Sequence, residues 1–232
     1  ALLGYTDHGS LDLCGRTINL TEPITIEDAA PGLDSFANRR VITNGQFNLV
    51  AGAAWQSRSV TSAGTYDPNQ SVTLSAVGNV ANIEIGSRIS GTGVGREVYV
   101  LDRNIAARTL TLSQPFYGGA GTRSYTFTRD RYAFDFSGMS HLSRLNFDDV
   151  EFLLNGVGSG VMLPKTGALN GFRDCYFTHP KDRGITSIGS GCQGMTVDRC
   201  EFLSNELTDL AQNRTSVAIN INNNDTKIRH NR

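Results

Sequence analysis

The chain has 232 residues, 25 of them glycine and 6 proline, with 8% aromatics and a formal net charge of -1. That length is enough for one large or two small domains with real cores, and near-cancelling charge without a basic cluster or a like-charge block excludes a nucleic-acid footprint and a charged tail. The longest apolar run, at 49–55, falls well short of the roughly 20 residues of a membrane-crossing helix, so no membrane insertion is expected.

No signal peptide is visible, and the chain starts at Ala1 rather than Met. It therefore reads as processed or as a piece of something longer, and the last five residues, Ile228-Arg229-His230-Asn231-Arg232, stop within a repeat. The opening stretch carries three strings: Asp12-Leu13-Cys14-Gly15-Arg16-Thr17-Ile18-Asn19-Leu20, then Pro23-Ile24-Thr25-Ile26, then Arg40-Val41-Ile42-Thr43-Asn44-Gly45-Gln46-Phe47. Residues 51–130 break the pattern found on either side. Strand-like runs at 72–76, 83–89, 98–101, 109–113 and 125–128 alternate with turn clusters such as Gly91-Thr92-Gly93-Val94-Gly95 and Gly118-Gly119-Ala120-Gly121, which predicts a small antiparallel β-module. The first cluster lacks the Lys-Ser/Thr and the following helix of a phosphate-binding loop and reads as a β-turn.

From 131 onward the chain repeats. Phe147-Asp148-Asp149-Val150-Glu151-Phe152, Phe172-Arg173-Asp174-Cys175-Tyr176-Phe177 and Val197-Asp198-Arg199-Cys200-Glu201-Phe202 align, and the string at Ile228 fits in part. The steps are 25 residues (147 to 172, 172 to 197) and then 31 (197 to 228), which puts six extra residues into a surface loop within 203–216. No stripe of helical period runs through these units. Short strands separated by Gly, Asn and Ser fit, with a second apolar pair in each unit: Phe134/Phe136, Val161/Leu163, Ile185/Ile188 and Val217/Ile219. A single unit cannot bury its apolar face, whereas stacked units make a continuous core.

Stacking at about 4.8 Å per strand turns equivalent positions into columns. Phe147/Phe172/Val197/Ile228, Val150/Cys175/Cys200 and Phe152/Phe177/Phe202 are expected inward, with both cysteines as free buried thiols, because side chains that point the same way on parallel neighbours are poorly placed for a disulfide. Asp148, Arg173, Asp198 and Arg229 form an outward row of alternating sign, read as structural ion pairs on a solvated face. Asn220, Asn222, Asn223 and Asn224 read as turn residues.

The string apolar-x-x-Cys-x-Phe, followed by Gly and another short strand, resembles the pectate-lyase-like superfamily of right-handed parallel β-helices, and the three opening strings resemble the first coils of such proteins. Gly86-Ser87-Arg88-Ile89-Ser90-Gly91-Thr92-Gly93-Val94, followed by Thr109-Leu110-Thr111-Leu112-Ser113-Gln114-Pro115, resembles a module recurrent in phage tail and spike proteins. The resemblance implies an all-β protein, a right-handed parallel β-helix or solenoid, with first coils in 1–50, an inserted small antiparallel β-module in 51–130 and further coils in 131–232. It further implies a virion-associated spike or tail fibre of the phage tailspike type, a homotrimer that binds host cell-surface polysaccharide and contacts other virion structural proteins, located on the virion surface or outside the cell. The fold also hosts polysaccharide lyases and hydrolases, so a secreted or virion depolymerase is the alternative, and a rigid structural connector is a third.

For chemistry, carboxylates on either side of a glycosidic bond are the usual need. Glu151 and Glu201 share one column two strands apart, about 9–10 Å at the backbone, with Tyr176 between them as a stacking platform for a sugar ring. The turn His179-Pro180-Lys181-Asp182-Arg183 adds Asp182 as a third candidate acid, with His179, Lys181 and Arg183 as candidate carbohydrate contacts. The Asn-Thr-Asp and Gly-His-Gly motifs of polygalacturonases are absent, as is a calcium-binding aspartate cluster of the pectate lyase kind. No metal motif is present, the four histidines are scattered, and no cofactor is expected.

Overall fold

A computed structural model of the chain describes residues 9–27, 35–204, 216–221 and 225–232. Among the described residues the regular structure is strand, broken only by three single-turn 3-10 segments, and no helix is long and apolar enough to cross a membrane. The chain divides into two compact units, Ala1–Trp55 with Arg131–Arg232, and Gln56–Asp130.

The first unit holds two sheets in which every described neighbour pair is parallel. One contains β1 (Ser10–Leu20), β3 (Ser35–Leu49), β11 (Leu142–Leu153), β13 (Thr166–Ala168), β14 (Gly171–Arg173), β15 (Tyr176–Thr178), β17 (Ser190–Gln193), β18 (Thr196–Asp198), β19 (Glu201–Leu203) and β21 (Lys227–Arg229). The other contains β2 (Ile24–Glu27), β10 (Tyr132–Gly138), β12 (Ser159–Leu163), β16 (Arg183–Ser187) and β20 (Val217–Asn220). Parallel strands need crossovers, and here each sheet supplies the other's. From Tyr132 the chain passes from the second sheet to the first and back until β21.

The registers set the columns. Ile42, Phe147, Phe172, Val197 and Ile228 lie in one row. Phe47, Phe152, Phe177 and Phe202 lie in another. Phe152 and Phe177 stack at 4.6 Å with planes 8° apart, and Phe177 and Phe202 at 5.0 Å and 4°. The backbone spacing of parallel strands thus stacks identical side chains with their rings near-parallel. Cys175 and Cys200 are buried, and all four cysteines are free. The second sheet answers the aromatic column with small residues. A Cβ added at Gly160 would fall on the Gly184 carbonyl oxygen and 2.9 Å from the Phe177 ring, and one at Gly184 would lie 2.5 Å from the Ala218 carbonyl oxygen and 3.1 Å from the Phe202 ring.

Two further columns are made by backbone rather than by side chains. Asn44, Asp149, Asp174, Arg199 and His230 all have φ between 51° and 58°, at the bend between two strand segments of one pass. Arg144, Leu169, Gly194 and Asp225 repeat the same left-handed conformation, at φ between 59° and 63°, before the first segment. Each pass therefore turns at fixed positions, and Asn and Asp are tolerated there because their short side chains bear this region at low cost.

Three expectations are corrected. In the second apolar set, Phe134, Val161 and Ile185 align with Ile219, while Val217 pairs with Arg183. A slip of two residues leaves the buried face unchanged, so the sequence pattern did not detect it. Ser187, not Ile188, pairs with Leu163, and Ile188 is buried just beyond β16. In the charged row, Asp198 is buried rather than solvated. Most of the expected surface loop, 205–215, and the turn residues Asn222, Asn223 and Asn224 lie outside the described residues.

The second unit is a closed antiparallel barrel in the order β4-β5-β8-β7-β6-β9, formed by β4 (Arg58–Tyr66), β5 (Thr73–Ser75), β6 (Arg88–Ser90), β7 (Val98–Asn104), β8 (Thr109–Leu112) and β9 (Gly121–Arg129). Its core packs Leu74, Ile89, Val98, Leu110, Leu112 and Phe127 around Tyr66, whose hydroxyl donates to the Phe116 carbonyl at 3.1 Å. The run 83–89 is strand only at its end, because Gly86 at φ 80° turns the chain and its N–H donates to the Val100 carbonyl.

Candidate functional site

The outward face of the first sheet carries an unbroken row, Thr17, Gln46, Glu151, Tyr176 and Glu201, one residue per neighbouring strand. Each is flanked in sequence by an inward column, so alternation along the strand drives it outward. The row is hydrogen-bonded from Thr17 to Glu151. Thr17 Oγ1 donates to Gln46 Oε1 at 3.0 Å, Gln46 Nε2 to Glu151 Oε2 at 2.6 Å, and Thr178 Oγ1 to Glu151 Oε1 at 3.3 Å. Tyr176 follows, 43% exposed, and Glu201 lies 3.9 Å from the Arg232 guanidinium. A second row runs beside it, with Asn155 Nδ2 donating to Asn48 Oδ1 at 2.9 Å and Asn48 Nδ2 to Asn19 Oδ1 at 2.8 Å. The result is a flat face of fixed hydrogen-bonding groups with one exposed aromatic ring. Both Glu151 oxygens already accept from neutral donors, which holds the carboxylate as an oriented acceptor.

The turn after β15 divides. His179 sits at φ 52°, with its N–H donating to the Leu203 carbonyl at 2.7 Å, and Lys181 is exposed, its N–H donating to the Gly158 carbonyl at 2.9 Å. Asp182 is half-buried, its carboxylate 3.9 Å from the Arg183 guanidinium. Arg183 itself is 3% exposed, because it opens β16 and the central strands of the second sheet are buried on both faces. Its guanidinium is therefore not on offer to a surface ligand, and the candidate contacts on the outside reduce to Tyr176, His179 and Lys181.

The charged row is denser than its sequence implies. Arg173 lies 3.7 Å from Asp148, and Arg199 grips Asp174 with two bonds of 2.7 Å. The Asp198 side chain, 4% exposed, is the hub. Its Oδ1 meets His230 Nδ1 at 3.0 Å, and its Oδ2 accepts from Arg229 at 3.1 Å and Arg199 at 3.3 Å. The His230 hydrogen bond, then those guanidinium groups, hold the Asp198 carboxyl below its usual range despite burial. Arg199 does the same to Asp174. Neither His230 nor Arg199 stands out in the sequence. Their shared column of positive φ brings them to the hub, and the only signal for it is the residue after each member of the alternating row.

In the barrel, an open concavity of about 570 Å³ on the β7–β8 hairpin is lined by Asp102, Arg103, Asn104, Ile105, Thr109 and Thr111. Among the described residues no cluster of three or more His, Cys, Asp or Glu could hold a metal ion. No protein-family model matches the chain, and no curated protein sequence matches it.

Proposed function

We propose that the chain belongs to a virion spike or tail fibre and binds host cell-surface polysaccharide along the outward face of its first sheet. In this reading the two parallel sheets are faces of a right-handed β-helix of the pectate-lyase-like kind, the barrel is its inserted module, the assembly is a homotrimer joined to other virion proteins, and the protein works on the virion surface or outside the cell. The observation that carries it is the row Thr17, Gln46, Glu151, Tyr176 and Glu201, in which fixed donors and acceptors flank an exposed ring. Sugar hydroxyls pair with such groups, and the C–H face of a pyranose packs on an aromatic ring.

Binding to an array of capsular and lipopolysaccharide glycans tests this reading. Tyr176→Ala should weaken binding about tenfold, the equivalent of about 1.4 kcal/mol, with smaller losses for His179→Ala and Lys181→Ala. A wild-type chain that sediments as a monomer and binds no glycan on the array removes the proposal. A second reading, a depolymerase acting through Glu151 and Glu201, draws on their placement either side of Tyr176, near the wider separation of inverting glycosidases. Product release from neutral and acidic polysaccharides, unchanged in Glu201→Gln, rules that glutamate out.

A further inference from the structure

We propose that His230, Asp198 and Arg229 form a hydrolytic site for acyl esters, the substrate class being the O-acyl groups of a polysaccharide; the choice of polysaccharide as carrier rests on the binding role above. The Asp198 side chain is 4% exposed and the His230 ring 70% exposed, 3.0 Å apart through Nδ1. A neutral imidazole that donates from Nδ1 to a carboxylate presents the lone pair of Nε2, here on a ring that is mostly exposed. The dyad is held from below, since the next residue, Asn231, accepts from the Cys200 N–H at 2.7 Å and donates to the Val197 carbonyl at 3.0 Å. His230 is thus fixed by its backbone, its neighbour and its ring.

Arg229 supplies the second function. Among the described residues its Nη2 alone is engaged, on the same Asp198 carboxylate, which leaves its other N–H groups to face a ligand beside the imidazole. Arg199, by contrast, spends its fork on Asp174 and its last nitrogen on Asp198. A base with a cationic donor next to it suits attack of water on a carbonyl. Nε2 takes a proton from water as the water oxygen bonds to the ester carbon. The carbonyl electrons move to an oxyanion held by Arg229. The oxyanion then collapses, the bond from carbon to the sugar oxygen breaks, and Nε2 returns the proton to that oxygen. The products are a carboxylic acid and a free sugar hydroxyl, with one water consumed. Glycosidic cleavage is a poorer match, because it needs an acid to protonate the leaving oxygen, and Asp198, bound by two guanidinium groups and an imidazole, is held as a carboxylate.

The test uses the 232-residue chain with p-nitrophenyl acetate, a probe that needs no glycan affinity, and then with O-acetylated xylan and pectin, reading acetate release. The wild type should exceed an equal concentration of free imidazole, and His230→Ala, at an exposed position, should lower kcat by about 10²-fold or more. His141, whose ring is bonded to Thr166 and Ser143, is the control, and His141→Ala should leave the rate unchanged. Asp198→Asn should lower kcat at unchanged KM by fixing the wrong tautomer, and Arg229→Lys should recover part of what Arg229→Gln loses. Should Asp198→Asn fail to fold, the His230→Ala and Arg229 variants decide alone. A wild-type rate no greater than that of free imidazole, or one unaltered by His230→Ala, overturns the proposal. Glycan binding without esterase activity removes this site and leaves the binding role; esterase activity without glycan binding does the reverse.

Discussion

Replacing Gly160 by alanine tests the way the two sheets of the first unit meet. The new Cβ has no empty place: it falls on the Gly184 carbonyl oxygen of the neighbouring strand and lies 2.9 Å from the Phe177 ring. The ring can tilt by a few tenths of an ångström only by disturbing its stack with Phe152, at 4.6 Å, and with Phe202, at 5.0 Å, and the carbonyl belongs to the β12–β16 pairing. Overpacking of this kind costs about 1–3 kcal/mol, and the upper end applies because one obstacle is backbone. Alanine recovers about 0.4–1 kcal/mol by restricting the unfolded chain. The net loss is about 2 kcal/mol, a fall of about 4–8 °C in Tm for a chain of this length. Thermal unfolding followed by circular dichroism measures it. Gly52→Ala is the control, since its nearest neighbour, the Thr21 carbonyl, stays at 3.9 Å. Adding Phe177→Leu should relieve the ring clash, giving a coupling of about 0.5 kcal/mol or more in a double-mutant cycle. A Gly160→Ala variant as stable as the wild type would refute the opposition of glycine and aromatic columns.

Leu169 holds φ 60° and is 54% exposed, so Leu169→Gly should raise stability by about 0.5–1 kcal/mol, or about 1–4 °C, and Leu169→Val should lower it. A thiol reagent should titrate Cys14 rapidly in the native protein and the three buried cysteines only on unfolding, with burial pushing the Cys175 thiol up and out of reactivity. Asp198 and Asp174 are held below their unfolded value, which is about 3.9. Their contribution is whole above about pH 4 and is lost as pH falls through the lowered folded values. Tm should therefore drop on the acid side, and the drop should be shallower in Asp174→Asn.

How much of this was legible in the sequence follows from which residues carry side-chain information. The columns of Phe147, Phe152 and their successors were readable because large apolar residues recur at a step of 25. Strand β4 was not: its inward positions include Ser62 and Gly64, and a Cβ at Gly64 would lie 2.9 Å from Leu74. The packing demands a small residue there and so erases the alternation that marks a strand. The same holds for Gly160 and Gly184, whose role is to have no side chain. Among the site residues, the Glu151, Tyr176 and Glu201 column was readable from the repeat. The burial of Arg183 was not, because a charged residue at the head of a strand looks the same whether that strand is exposed or enclosed. His230 carries no such signal, because its partner, Asp198, is 32 residues away and adjacent only through the pairing of β18 with β21.

The geometry of the first sheet also bears on why a rigid stack suits a surface ligand. Ordering one long side chain at an interface costs about 0.5–1.5 kcal/mol. Gln46, Glu151, Asn48 and Asn155 are already tied to one another before any ligand arrives, so much of that cost falls on folding rather than on binding. Tyr176 needs no tether, because a tyrosine has few rotamers to lose. Each strand adds one such group at a spacing of about 4.8 Å set by the backbone, so an extended ligand meets a regular series of small contacts. Affinity on such a face should grow with ligand length until the five strands that carry the row are covered. Binding measured against oligosaccharides of increasing length should therefore rise over the first few sugars and then level. A length-independent affinity would place the contact at a single pocket instead of along the row.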